Sequence, residues 1–397
     1  MSVRLLRAAA PVLLAILLSA WLPAVAAAAA AAPFRFGLLL VGPYNDHGWS
    51  QAHYEAGQRL AAADDVEMIY IDKVNPADRA GITVPQLVDE LVEKGCRLVI
   101  ANSDDMKDGI VEAALDHPEV KFIHVSGDQV WTDTAPANLS NLMGRMELGK
   151  MLAGVAAGLT TRTGNVGYLG PLVNDETRRL ANSCFLGARY AWQTLRGKPA
   201  AELTFRVRWI GFWFNIPGVT ADPTQVVQHF YASGCDVVIS GIDTSEVVVV
   251  AEQQRKAGKT VWAVPYDYQG ACQGHDASCL GVPYFNWVPG YTQLLASARG
   301  SDWTSQALWL GPDWSDLNGL QTSTVGFQPG PALEPAVKTQ LDKVIADLAA
   351  GKVELFKGPL NYQDGTPFVA AGQTAGDRDV WYMKQLLQGM EGQSSAH

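Results

Sequence analysis

Short, nearly continuous apolar runs alternate with longer amphipathic stretches from residue 36 onward. The runs are "FGLLLV" (36–41), "VEMIYI" (66–71), "RLVIAN" (97–102), "KFIHVS" (121–126), "NVGYLG" (165–170), "RVRWIGF" (206–212), "DVVISG" (236–241), "TVWAVPY" (260–266) and "CLGVPYF" (279–285). Runs of this length without strict alternation mark strands buried on both faces. Between most of them lie "SQAHYEAGQRLAAA", "VPQLVDELVEKG", "GIVEAALDHP", "RMELGKMLAGVAAGLT", "PTQVVQHFYASG" and "SEVVVVAEQQRKAG", whose apolar residues recur at helical spacing. Strands alternating with helices predict an α/β chain with parallel sheets covered on both faces.

One plan occurs twice. "LVEKGCRLVIANSDD" (91–105) and "FYASGCDVVISGIDT" (230–244) each run from a helix end through a Gly and a Cys into an apolar strand, then a polar turn. The Gly suits a left-handed helix C-cap. Cys96 and Cys235 open buried strands and read as core thiols. The repeat suggests two Rossmann-like lobes: residues 33–142 with about 264–315, and residues 143–263 with about 316–392. Segments 139–159, 260–270 and 312–325 read as three crossovers between them. The C-terminal part holds the helix "PALEPAVKTQLDKVIADLAAGK" and a hairpin-like "FKGPLNYQDG". Open α/β sheets bind ligands at the carboxyl ends of their strands, so both lobes would offer their polar turns to a shared central cleft.

The first 32 residues stand apart. Arg4 and Arg7 precede the apolar "AAAPVLLAILLSAWLPAVA" and an alanine tract with several A-x-A sites, the layout of a cleavable export signal. No Cys lies near that tract, so lipid attachment there is not expected. The mature chain is expected in the periplasm. Losing two Arg and no acid takes the formal charge from −10 to −12. Acidity on that scale argues against a nucleic-acid partner, which needs clustered Lys and Arg. Of the five Cys, Cys272 and Cys279 in "ACQGHDASC" are placed to close a small disulfide, or remain two neighbouring free thiols.

Composition next bears on chemistry. "GPYNDHGWSQAHYEAG" (42–57) follows the first strand where a phosphate loop would sit, yet it has neither G-x-G-x-x-G nor G-K-[ST]. Residues at strand ends include Asn45, Asp46, Trp49, Asn102, Ser103 and Asp104 from one lobe. Trp213, Asn215, Asp243 and Thr244 come from the other, with Asp267, Asn286 and Trp287 from the crossings and the late strand. Indoles stack on flat rings or on sugar faces, and Asp and Asn accept from amines and hydroxyls. With no Lys or Arg cluster, the set suits a neutral planar base or a sugar rather than a nucleotide. Each residue also has a plain structural role open to it. Asp46 and Asp243 could cap the helices that follow them, Trp49 could close the core, and Trp287 could wedge beneath the cleft. Trp213 competes with Phe212 and Phe214 for the cleft face. No G-x-S-x-G or H-E-x-x-H occurs and no Cys has an evident base, which favours a binding protein over an enzyme.

Together "GPYNDHGWSQAHYEAG", "FIHVSGD", "NLMGRMELGKMLAGVAAG", "VGYLGPLVNDE", "FWFNIPG", "GCDVVISGIDTSEVVVVAEQQ" and "FKGPLNYQDG" resemble, in order, the BMP/PnrA-like family of ABC transporter substrate-binding proteins. The resemblance implies a type I periplasmic-binding fold and delivery of a ligand to an ABC permease. It implies stacking of a purine between Trp49 and Trp213, with Asp46, Ser103, Asp243 and Asp267 as polar contacts. Asn286 and Trp287 stand where nucleoside-binding members tend to carry a Lys, which points toward a free base such as adenine. Asn215, beside Trp213, joins the candidate set. The expected partners are thus a purine base or nucleoside and a permease, with no cofactor, no metal and a monomeric receptor. A receptor for a sugar or other small polar ligand is the second reading, and a periplasmic nucleoside hydrolase the third. Trp49→Ala is expected to weaken binding and spare the fold.

Overall fold

The computed structural model describes residues 32–62 and 65–395; the expected export signal lies outside the described residues, Ala32 excepted. From Pro33 onward the chain packs as one unit. In chain order it runs β1 (Phe34–Leu39), α1 (Trp49–Ala61), β2 (Val66–Ile71), α2 (Val84–Glu93), β3 (Cys96–Ala101), α3 (Lys107–Asp116), β4 (Lys121–Val125) and β5 (Leu139–Gly144). There follow α4 (Met146–Thr160), β6 (Asn165–Gly170), α5 (Asp175–Tyr190), β7 (Thr204–Trp209), α6 (Pro223–Ala232), β8 (Val237–Ser240), α7 (Glu246–Lys256) and β9 (Trp262–Val264). The remainder is β10 (Gly281–Phe285), α8 (Val288–Arg299), β11 (Ala307–Leu310), β12 (Val325–Pro329), α9 (Pro335–Ala349), β13 (Leu360–Asn361), β14 (Pro367–Val369), α10 (Asp377–Trp381) and β15 (Met390–Glu391).

Two parallel sheets organise these elements. The first has the order β11-β5-β4-β3-β1-β2 and the second β15-β7-β6-β8-β9. Helices α1 and α8 pack together beside the first sheet, as do α2 and α3; α4 with α5, and α6 with α7, do the same for the second. Burial on both faces explains the near-continuous apolar runs: every residue of β8 is buried, and all of β3 except Arg97. In both sheets the order reverses beside the opening strand, between β1 and β3 and again between β6 and β8. Such switch points splay the following loops apart and leave a crevice at the carboxyl ends.

The structure departs from the sequence reading at several places, among them the edge strand β11, which no apolar run had marked. Segment 139–144, read as part of a crossover, is the buried strand β5. Its Ser140 and Asn141 are buried because they brace neighbouring backbone. Asn141 Oδ1 accepts from the Val130 N–H at 2.8 Å and Ser140 Oγ from the Gln306 N–H at 3.0 Å. Strand β10 joins neither parallel sheet but pairs antiparallel with β12, which begins where the third expected crossover ends and was not among the expected strands. The last strand, β15, pairs parallel with β7 at the edge of the second sheet, returning the C-terminus to it.

Cys272 and Cys279 form a disulfide with their Cα atoms 5.7 Å apart, while Cys96, Cys184 and Cys235 are free and buried. The bridge closes a small loop, so the loop-entropy relation assigns it about 2.5 kcal/mol. Replacing both Cys272 and Cys279 by Ser should lower the melting temperature measurably. Reducing agent should do the same to the parent protein and have no further effect on the double variant.

Candidate functional site

A cavity opens where the carboxyl ends of the two sheets meet, the place where open α/β sheets bind ligands. The first sheet contributes Trp49, Ser103, Asp104 and Ser126; the second contributes Tyr168, Trp213, Gly241, Asp243 and Tyr266; the start of α5 contributes Glu176, Thr177 and Leu180. These residues follow β1, β3 and β4 on one side; on the other they lie on β6 or follow β7, β8 and β9. The cavity therefore straddles both switch points.

Local chemistry fixes each wall. Trp49 opens α1, and its indole N–H donates to the Asn102 carbonyl at 2.6 Å. Its ring meets His53, Phe285 and Trp287 edge-on, at centroid distances of 4.7, 5.2 and 5.3 Å. Ser103 Oγ accepts from the Asp105 N–H, capping the turn that carries Asp104. Asn174 and Thr177 form a capping box that starts α5 at the cavity. Trp213 lies half-buried in the cavity wall, while Phe212 and Phe214 pack edge-on against each other. The Trp213 carbonyl accepts from the Asp243 N–H at 3.0 Å, tying the loops after β7 and β8 together.

The two halves touch at this rim. The Trp49 N–H faces the Asp243 carbonyl at 3.4 Å. A Cβ added to Gly48 would lie 1.6 Å from the same oxygen, so only glycine fits there.

The sequence profile of the family described as "ABC transporter substrate-binding protein PnrA-like" (Bmp) matches residues 34–282. The chain belongs to this family. Relatives include a purine-binding protein of Brucella abortus (strain 2308), 26% identical over 92% of this chain and 95% of the relative. A putative ABC transporter glucose-binding protein of Haloferax volcanii is 25% identical over 89% of this chain and 79% of its own length. Among solved structures, an ABC transporter solute-binding protein from Aeropyrum pernix K1 superposes with a TM-score of 0.61 at 12% identity, covering 88% of this chain and 95% of that one. One from Conexibacter woesei DSM 14684 gives 0.59 at 16% identity, covering 81% and 98%. These likenesses bear on the fold alone, that of type I periplasmic binding proteins. The Bmp family comprises extracytoplasmic substrate-binding components of ABC transporters rather than enzymes, so a small-molecule ligand and a transporter are its partners. Among the described residues no helix is long and apolar enough to cross a membrane.

Of the residues singled out in this Bmp chain, the structure brings Trp49, Ser103, Trp213 and Asp243 into the cavity wall. Asp267 follows the lining residue Tyr266 directly, at φ 70°. Its side chain is fully buried, and neither carboxyl oxygen meets a hydrogen-bond partner. The other four lie outside the cavity wall. Asp46 accepts from the N–H groups of Gly48, Ser50 and Gln51, each at 2.9 Å, so it caps α1. Burial nonetheless lifts its carboxyl to about 6 against the pull of those bonds. Asn215 is exposed and accepts from Thr220 Oγ1 at 3.0 Å. Asn286 Nδ2 donates to the Leu320 and Ser323 carbonyls at 2.8 Å, bracing the loop before β12. Trp287 is fully buried behind Trp49, stacked between Phe285 (4.6 Å) and His53 (4.3 Å).

Ser126, Tyr168, Glu176, Thr177 and Tyr266 line the cavity without having been singled out. Ser126 and Tyr266 lie just past strands recognised in the sequence, so the strand-end rule that marked Trp49 reaches them; Tyr168 lies within β6, and Glu176 and Thr177 open α5. The lining carries three acids, Asp104, Glu176 and Asp243, and no Lys or Arg. Burial, then Asp267, raises the Asp243 carboxyl well above the ordinary carboxylate range. Burial raises Glu176 to about 7, with Arg179 pulling it down. Asp267 is likewise lifted well above its ordinary value by burial, against the pull of Lys150.

Proposed function

We propose that this protein captures a purine base or nucleoside, an adenine-like base above all, and presents it to an ABC importer. The observation that carries the reading is the meeting of two indoles, Trp49 and Trp213, with carboxyls from both halves in one cavity that has no cationic lining. A flat neutral ring offers faces to the indoles and N–H donors to Asp243 and Asp104. A phosphorylated ligand would face unpaired acids. The Brucella abortus purine-binding relative, matched over nearly its whole length, supports the same ligand class. On this reading the chain is exported to the periplasm by its N-terminal segment and works as a monomer. Residues 33–142 with about 264–315 then close as one lobe on residues 143–263 with about 316–392.

A sugar ligand is the second reading, favoured by the glucose-binding relative of Haloferax volcanii and by the affinity of indoles for pyranose faces. Calorimetry with adenine, guanine, adenosine, ribose and glucose separates the two. Adenine is expected to bind at micromolar concentration or better, since each stacked face contributes roughly 1–3 kcal/mol. Heat with glucose and none with any purine would transfer the assignment to the sugar.

A further inference from the structure

Tyr168 lies on β6, is fully buried and lines the cavity. Its hydroxyl meets no hydrogen-bond partner. Among the described residues it is the only lining side chain with a polar atom both buried and unpaired. Buried polar groups in folded proteins are nearly always paired, because an unpaired one costs its full desolvation. An unpaired phenol at a ligand cavity is thus a group whose partner arrives with the ligand.

The strand ends set its position. The Gly241 N–H donates to the Leu169 carbonyl at 2.7 Å, which holds the first residue past β8 beside the end of β6. The phenol reaches up to that point: a Cβ added to Gly241 would lie 2.4 Å from the hydroxyl oxygen. Gly241 itself lines the cavity. The ring therefore starts two residues before the end of β6 and carries its oxygen to the carboxyl edge of the sheet, where such folds bind ligands. Three neighbouring groups are already engaged. The Trp49 indole N–H donates to the Asn102 carbonyl at 2.6 Å, Ser103 Oγ accepts from the Asp105 N–H at 3.2 Å, and Thr177 Oγ1 donates to the Asn174 carbonyl at 3.2 Å. Burial raises the Tyr168 phenol well above its ordinary value, so it stays protonated and able to donate at neutral pH.

We infer that Tyr168 is a specificity-determining ligand contact: its O–H donates to an acceptor atom of the bound ligand, a ring nitrogen where the ligand is a purine base. The contact rests on the cavity, and the identity of the acceptor rests on the purine reading above. A purine carries bare ring nitrogens beside its N–H donors. Ionised carboxylates such as those in the lining accept only, so they serve the N–H groups and offer a ring nitrogen nothing. The phenol supplies the complement. A base with carbon in place of that nitrogen leaves the hydroxyl unpaired and is rejected on that account.

The test pairs Tyr168→Phe, which removes one oxygen and keeps the ring, with adenine and its 1-, 3- and 7-deaza analogues, each with one acceptor nitrogen replaced by C–H. By calorimetry the variant should bind adenine about 5- to 150-fold more weakly than the parent, the factor for leaving a buried acceptor unpaired. One analogue should bind parent and variant alike, because it lacks the atom that the hydroxyl serves; the other two should show the full loss. Without ligand the variant should melt no lower than the parent, since it gives up an unpaired polar atom and no hydrogen bond. Parent-like adenine affinity, an equal loss across all three analogues, or a ligand-free melt several degrees lower would overturn the proposal. Should adenine fail to bind the parent while glucose binds, the purine reading falls alone. Tyr168→Phe is then compared with the parent on glucose: a loss of the same size sustains the contact, and parent-like affinity overturns it.

Discussion

Gly48→Ala should reduce ligand affinity by at least about 100-fold, near 2.7 kcal/mol, while shifting the melting temperature by no more than a few degrees. Gly48 directly precedes α1, where contact leaves no room for a side chain. The added Cβ would sit 1.6 Å from the Asp243 oxygen and 2.6 Å from its carbonyl carbon, both rigid backbone atoms. The loops after β1 and β8 must part by more than an ångström to relieve it. Neither sheet core is touched, because the clash lies where the two halves meet. What is lost is the closed rim, and with it the exclusion of water from the stacked ligand. Calorimetry and a thermal melt on the same sample check both halves of the expectation. Parent-like affinity would mean that the rim contact is not part of the liganded state.

The two tryptophans should separate sharply. Trp213→Ala is expected to cost roughly 1–3 kcal/mol of binding, about 5- to 150-fold, with little change in melting, because the residue is only half-buried in a loop. Trp49→Ala should lose binding and also about 3–5 kcal/mol of stability. Its ring is 8% exposed, packs against three aromatic neighbours and anchors its N–H on Asn102. The expectation that this variant would spare the fold therefore gives way: one face of the indole belongs to the cavity and the rest to the core. Measuring affinity and melting for both variants distinguishes the roles. A Trp213→Ala protein that binds as tightly as the parent would remove that ring from the ligand's surroundings.

Much of the architecture could be read from residue order. Strands β1, β2, β3, β4 and β6 lie within two or three residues of their apolar runs, because doubly covered strands have a distinctive composition. Strand β5 escaped because "LSNLMG" mixes polar residues into a buried position, and their backbone partners at Val130 and Gln306 are remote in sequence or brought near only by folding. The antiparallel pairing of β10 with β12 joins segments separated by about forty residues of chain, which no local pattern encodes. In the site, strand ends pointed correctly to the region but not to side-chain direction. Trp49 and Asp46 share one turn, yet the N–H groups of Gly48, Ser50 and Gln51 claim the carboxylate while the indole reaches the cavity. Asn286 was similarly claimed by loop carbonyls. Tyr168 was hidden for a different reason: within "NVGYLG" it reads as one more apolar position of a covered strand, and only tertiary packing leaves its hydroxyl unpaired at the cavity.

The acid lining has a consequence for the economy of a cell that feeds through this protein. On the purine reading, with no basic residue among its lining, the cavity offers a nucleotide's phosphate no cationic partner. On that reading, a nucleotide becomes food only after a phosphatase outside the cytoplasm has stripped it. The receptor's selectivity then makes scavenging a two-step harvest, in which phosphate and base are separated before either is carried inside.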